Sequence, residues 1–154
     1  VARGQSKHTA PSKPGGIKGL KIIPVDDIEI IPWPLLEQLR GAGEYEIDDL
    51  IQLWNGFRGQ PTSYLWAIVN KEHQIVGAVW STYVVLTHTM IVNFCTLDKS
   101  IQGADHAVVK NLVVPALRKM QKKLGARKIW FLTNRDRAWR RMGFRESHVK
   151  LMEV

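Results

Sequence analysis

Hydrophobic and polar positions change their period along the chain, and each change marks an element. From Glu46, the spacing of Ile47, Leu50, Ile51 and Trp54 puts four apolar side chains on one helical face, with Gly56 near its end. A short amphipathic helix is predicted there. Tyr64 to Val69 reads as a strand, and Asn70-Lys71-Glu72-His73 as a polar connection to the next one. The stretch QIVGAVWSTYVVLTHTMIVNFCTL, from Gln74 to Leu97, carries no charged side chain, so a membrane span has to be weighed. Its many β-branched and aromatic residues, interrupted by Ser81, Thr82, Thr87, His88, Thr89 and Asn93, fit two buried strands turning near Thr87 to Thr89. The three strands make an antiparallel meander.

After Gln102-Gly103-Ala104 the period becomes 3.6, with Val109, Val113, Ala116, Leu117, Met120 and Leu124 on one face and Gly125 as the stop. Pro115 falls inside this helix and is expected to kink or split it, because its ring clashes with the carbonyl four residues back. Lys128 to Thr133 then reads as a strand, Arg135 to Met142 as a short basic helix capped by Gly143, and His148 to Met152 as a last strand. The order β-β-β-α-β-α-β is that of an α/β domain. Before it, LKIIPVDDIEIIPWPLL has prolines at 24, 32 and 34 that exclude a long helix and favour extended segments. The opening VARGQSKHTAPSKPGGIKG has almost nothing to bury. Residues 1–21 are therefore expected to form a basic flexible arm and residues 22–154 a single domain.

Composition narrows the class. A chain of 154 residues with 45% hydrophobic content fits one globular domain, large enough to bury roughly two-thirds of the surface of its unfolded form. The single cysteine, Cys95, cannot form an internal bridge, and no Cys/His cluster has zinc-ligand spacing. The N-terminus is basic but lacks the apolar run of a signal peptide, which argues against secretion and for a cytoplasmic protein.

The net charge of +8 is unevenly distributed. Arg3, Lys7, Lys13, Lys18 and Lys21 stand in the arm without an acid, the middle of the chain is acidic, and residues 118–145 carry 11 basic residues against Asp136 alone. The arm suits a polyanion, either a nucleic acid or an acidic protein surface; a soluble tail and a solvated helix face account for the same charges.

The order of elements, the long helix after the meander and the ending KIWFLTNRDRAWRRMGFRES resemble the GCN5-related N-acetyltransferase (GNAT) superfamily over roughly residues 64–152. The resemblance implies a GNAT-like mixed sheet with a long central helix and a short C-terminal helix. It also implies transfer of an acetyl group from acetyl-coenzyme A to an amine, with pantetheine between splayed central strands and pyrophosphate on backbone N–H groups at the start of the long helix. The corresponding loop here is Gln102-Gly103-Ala104-Asp105-His106-Ala107, which matches the family's pattern at Gln102 and Ala107 but has Asp105 where the family has glycine. A carboxylate there repels a diphosphate and is a good helix N-cap, able to satisfy the N–H groups a pyrophosphate would use. Where many members have a tyrosine that protonates the leaving thiolate, this chain has Trp139, whose indole gives up no usable proton.

Other candidates are few. Asp98 just past a strand end and His88 in a strand turn are candidate general bases; Asn134 either bonds the pantetheine amides or opens a helix as a cap. Cys95 reads as a small core residue. Basic residues at 118–128 suit a coenzyme's 3′-phosphate or a partner's acids. Two functions follow. One is a degenerate GNAT-like module serving as a binding or structural component; TLDKSIQG to LRKMQKKLG is loosely similar to small virion-associated GNAT-like proteins of tailed phages, which would place it within a phage particle. The other is an active acetyltransferase using acetyl-coenzyme A.

Overall fold

The computed structural model describes residues 17–41, 46–58, 60, 62–132 and 136–146. The sheet begins with β1 (Lys21–Val25), whose Pro24 cannot donate a ladder bond and so belongs on an edge, which is where the strand lies. A single 3-10 turn at Ile28–Ile30 follows, started by the Asp27 side chain accepting the Glu29 N–H at 2.9 Å. The chain then forms α1 (Trp33–Gly41) and α2 (Ile47–Phe57). The helix over Trp33–Gly41 corrects the expectation of extended segments. Pro34 sits in its first turn, where the missing N–H would have no intrahelical partner anyway, and Leu35, Leu36 and Leu39 supply a buried face.

Next come β2 (Ser63–Val69), β3 (Ile75–Val84) and β4 (Thr89–Leu97), the antiparallel meander read from the sequence. After a 3-10 segment at Lys99–Ala104 the chain enters α3 (Asp105–Val108), a π turn at Val109–Val113 and α4 (Val114–Leu124). β5 (Lys128–Phe131) and α5 (Asp136–Arg141) complete the described chain. The sheet order is β1-β2-β3-β4-β5, antiparallel except for the parallel pair β4–β5. This is the expected mixed sheet with a long central helix and a short C-terminal one.

Alternation along the strands feeds two cores. Trp66, Ile68, Val79, Met90 and Val92 point to one face, under Val108, Val113 and Leu117 of the long helix. Leu65, Ala67, Ala78, Trp80 and Phe94 point to the other, under Leu35, Leu36, Leu50 and Trp54 of α1 and α2. A sheet buried on both faces explains why the stretch from Gln74 to Leu97 carries no charge. Among the described residues no helix is long and apolar enough to cross a membrane.

The boundary expected after residue 21 moves toward the N-terminus. Ile17 and Leu20 pack against the core and Lys21 opens β1, so Lys18 and Lys21 belong with the fold. Arg3, Lys7 and Lys13 of the arm, Asn134, and the expected strand at His148 to Met152 lie outside the described residues.

Candidate functional site

β4 carries an irregularity that the sequence did not announce. Trp80 pairs with Phe94 and Ser81 with Val92, so Asn93 is an extra residue, a bulge that bends the strand. Its Nδ2 donates to Thr82 Oγ1 at 2.9 Å. The ladder with β5 covers Thr89 to Val92 and Lys128 to Phe131, and Leu132 N–H adds a bond to the Val92 carbonyl at 3.1 Å, directly before the bulge. The bulge thus divides β4 into a half in register with β5 and a half that leads to the loop before the long helix.

At the end of that second half stands Asp98, whose N–H reaches the Val76 carbonyl at 2.7 Å. Its Oδ1 accepts the Ser100 N–H at 2.8 Å. Hydrogen bonding from the Ser100 side chain and then from its backbone holds the Asp98 carboxyl below the ordinary carboxylate range, with Lys99 adding to the effect. Such stabilisation of the anion makes Asp98 a weaker base.

The following 3-10 segment buries Ile101 and Ala104 and delivers the chain to the helix start. Ala104 occupies the N-cap position without a side-chain cap bond, which corrects the reading of Asp105 as the N-cap. Asp105 is instead the first helical residue. Its carboxylate accepts the His106 N–H at 2.9 Å, taking one of the four donors that a helix start leaves without intrahelical partners. Asp105 and His106 are exposed and Ala107 is half-buried, while a Cβ added at Gly103 would meet nothing within 4 Å. The loop Gln102 to Ala107 therefore stands at the helix start that the family uses for pyrophosphate, but with an anion already on its backbone. That anion competes with a coenzyme diphosphate for the same donor and the same positive helix end.

Pro115 is accommodated rather than kinking a regular helix. The π turn sends the Val114 N–H to the Val109 carbonyl, five residues back, and Pro115 becomes the second residue of α4. At the far end Gly125 adopts φ +68°, and the Ala126 N–H caps the Gln121 carbonyl at 3.0 Å.

Trp139 of α5 is half-buried in an aromatic cluster, with ring centroids 4.6 Å from Phe131 and 5.1 Å from Phe144. Gly143 at φ +89° and the Phe144 N–H on the Trp139 carbonyl close the helix and hold Phe144 in that cluster. The indole at this position packs, and its N–H is far too weak an acid to protonate a thiolate.

His88 lies elsewhere. It occupies the β3–β4 turn at φ +49°, with Nδ1 3.0 Å from the Tyr83 hydroxyl and its carbonyl accepting the Arg127 N–H at 2.7 Å. The whole of β4 separates it from Asp98, about 30 Å at the usual rise per residue. The structure thus groups Asp98 with the loop Gln102 to Ala107 and sets His88 at the opposite end of the sheet. Cys95 is half-buried opposite Val79, against the core under the long helix. The Tyr83–His88 pair, five residues apart across a turn, was missed in the sequence because nothing in the spacing distinguishes it from ordinary turn polarity.

No family model and no curated protein sequence matches the chain. Solved structures do. An aminoglycoside 6′-N-acetyltransferase from Acinetobacter baumannii superposes with a TM-score of 0.65 at 11% identity, over 88% of this chain and 98% of that one. A Trypanosoma brucei acetyltransferase gives 0.61 at 16% identity, again over 88% and 98%. A spermidine N-acetyltransferase from Vibrio cholerae gives 0.57 at 14%, over 84% of this chain and 81% of that one. At these identities the likeness concerns the backbone, and it establishes that this chain has the fold of the GNAT acetyltransferases.

Proposed function

We propose that this chain uses the acetyltransferase fold as a binding or structural module and not as an acetyl-transfer catalyst. One observation carries the reading: the Asp105 carboxylate sits on the His106 N–H at the start of the long helix, where a coenzyme's pyrophosphate would need both the donor and the positive helix end. Trp139 in the acid's position supports it. Service within a larger assembly such as a phage particle is the form of this role suggested by the segment from Thr96 to Gly125, with Arg3, Lys7 and Lys13 of the arm, continued by Lys18 and Lys21 at the edge of the fold, as a contact to nucleic acid or an acidic protein. The test is calorimetric titration with acetyl-coenzyme A. Wild-type protein is expected to bind more weakly than about 0.1 mM, which corresponds to about 5 kcal/mol. A micromolar constant overturns the proposal.

A second reading is an active acetyltransferase moving an acetyl group from acetyl-coenzyme A to an amine. The fold and the position of Asp98 beside the cofactor loop favour it. Thiol release from acetyl-coenzyme A in the presence of spermidine or an aminoglycoside, the acceptors named for the similar structures, decides it. Turnover abolished by Asp98→Asn would establish this reading.

A further inference from the structure

The long helix places its apolar side on the sheet, with Val113 and Leu117 buried, and turns Arg118, Lys119, Lys122 and Lys123 to solvent. At about 100° per residue these four cations fall within an arc of about 140° on the side opposite the core. Among the described residues none of them has a carboxylate within ion-pair distance, and no acidic residue occurs in the sequence between Asp105 and Asp136. Arg127 and Lys128, both exposed, extend the cationic surface past the Gly125 cap into β5.

We propose that this face of α4, continued by Arg127 and Lys128, docks duplex nucleic acid through its phosphates. Three features select that partner. Arg118 with Lys122, and Lys119 with Lys123, are like-charged pairs four residues apart, an arrangement that weakens a helix on its own and is relieved by a bound polyanion. From Arg118 to Lys123 the helix rises about 7.5 Å, a length of duplex axis that carries about four phosphates. The face also lacks an apolar anchor: the large exposed apolar side chains of the described residues, Trp33 and Leu86 among them, belong to other elements. Protein interfaces are centred on buried aromatic or aliphatic anchors, whereas phosphate contacts need only cations. The surface is distinct from the arm and from the loop at Asp105, and it holds whether or not acetyl-coenzyme A binds.

The experiment measures binding of the full chain to random-sequence duplex DNA at several salt concentrations. The compared variant carries Arg118→Gln, Lys119→Gln, Lys122→Gln and Lys123→Gln together, and its melting temperature is recorded to confirm folding. Wild type is expected to bind at low salt, and the variant to lose roughly 0.9 of the log-log salt slope per contact, up to about 3.6 in all. Lys119→Arg, Lys122→Arg and Lys123→Arg together should keep the slope, since the charge is retained. Failure of wild type to bind at low salt, or an unchanged slope in the glutamine variant, overturns the proposal. Displacement of the duplex by polyglutamate at equal charge concentration also overturns it, and assigns the face to an acidic protein.

Discussion

The Asp105 carboxylate accepts the backbone N–H of His106 at 2.9 Å, so a side chain of the protein holds a donor at the mouth of the long helix. Removing it has two expected consequences. Asp105→Gly frees the N–H and the positive helix end for a phosphate, so acetyl-coenzyme A affinity should rise relative to wild type in calorimetry. The same change removes an anion from the helix start and places glycine in the first turn, which should lower stability by about 1 kcal/mol in denaturant unfolding. Tighter coenzyme binding in a less stable protein is the pattern expected; a variant with unchanged affinity would mean that the loop fails for another reason.

Asp98 should report its hydrogen bonds through pH. Its carboxyl is held below the ordinary value of 3.8 by Ser100 and Lys99. A depressed folded-state value means that the stabilisation is fully present above the unfolded-state value and is lost as pH falls through the folded one. Melting curves of wild type and Asp98→Asn should therefore differ most above the ordinary carboxylate range and converge as the solution is acidified below it. A gap that stays constant with pH would show that the anion is not stabilised by these contacts.

Gly77 tests the packing between β2, β3 and β4. A Cβ there would meet Ile68 Cδ1 and Leu97 Cδ2, each at 3.0 Å, and the Thr96 carbonyl oxygen at 3.1 Å. Two of these are side-chain ends that can shift, but the carbonyl belongs to a paired strand. Gly77→Ala should cost about 1–3 kcal/mol by overpacking, measured as a shift of the urea midpoint.

The fold was legible wherever burial imposed a period. Ile47, Leu50 and Trp54, the charge-free strands, and Val113 with Leu117 all take the faces their spacing predicts, because one side of each element is removed from water. Around Pro34 and Pro115 the local rule gave only half the answer. Proline does end regular helix hydrogen bonding, but Pro34 was free to start a helix and Pro115 to follow a π turn. Asn93 could not be found at all, since a bulge is a property of two strands in register and leaves no mark in either one alone. The loop at Asp105 was readable as altered chemistry; which atom the carboxylate would occupy depended on Ala104 taking the cap position. His88 and Asp98 were equally plausible bases in a one-dimensional reading, and only the length of β4 separates them.

Arg118→Glu sets stability against binding. In wild type Arg118 and Lys122 are a like-charged pair one helical turn apart on an exposed face, which weakens the helix by about 0.2–0.5 kcal/mol. Glutamate at 118 removes that repulsion and adds an attraction of similar size, in the favoured order with the acid N-terminal to the lysine. The protein should therefore gain roughly 0.4–1 kcal/mol, read as a raised midpoint in urea. The same reversal places an anion at the N-terminal edge of the proposed phosphate-binding face. Duplex affinity should fall, and the salt slope should shrink by at least the roughly 0.9 expected for one lost phosphate contact. Lys110→Glu on the same long helix serves as the reference, because Lys110 is exposed but stands in the π turn, about two turns before Arg118. If both reversals weaken duplex binding equally, the effect is one of total charge, and no particular face of the helix is the contact.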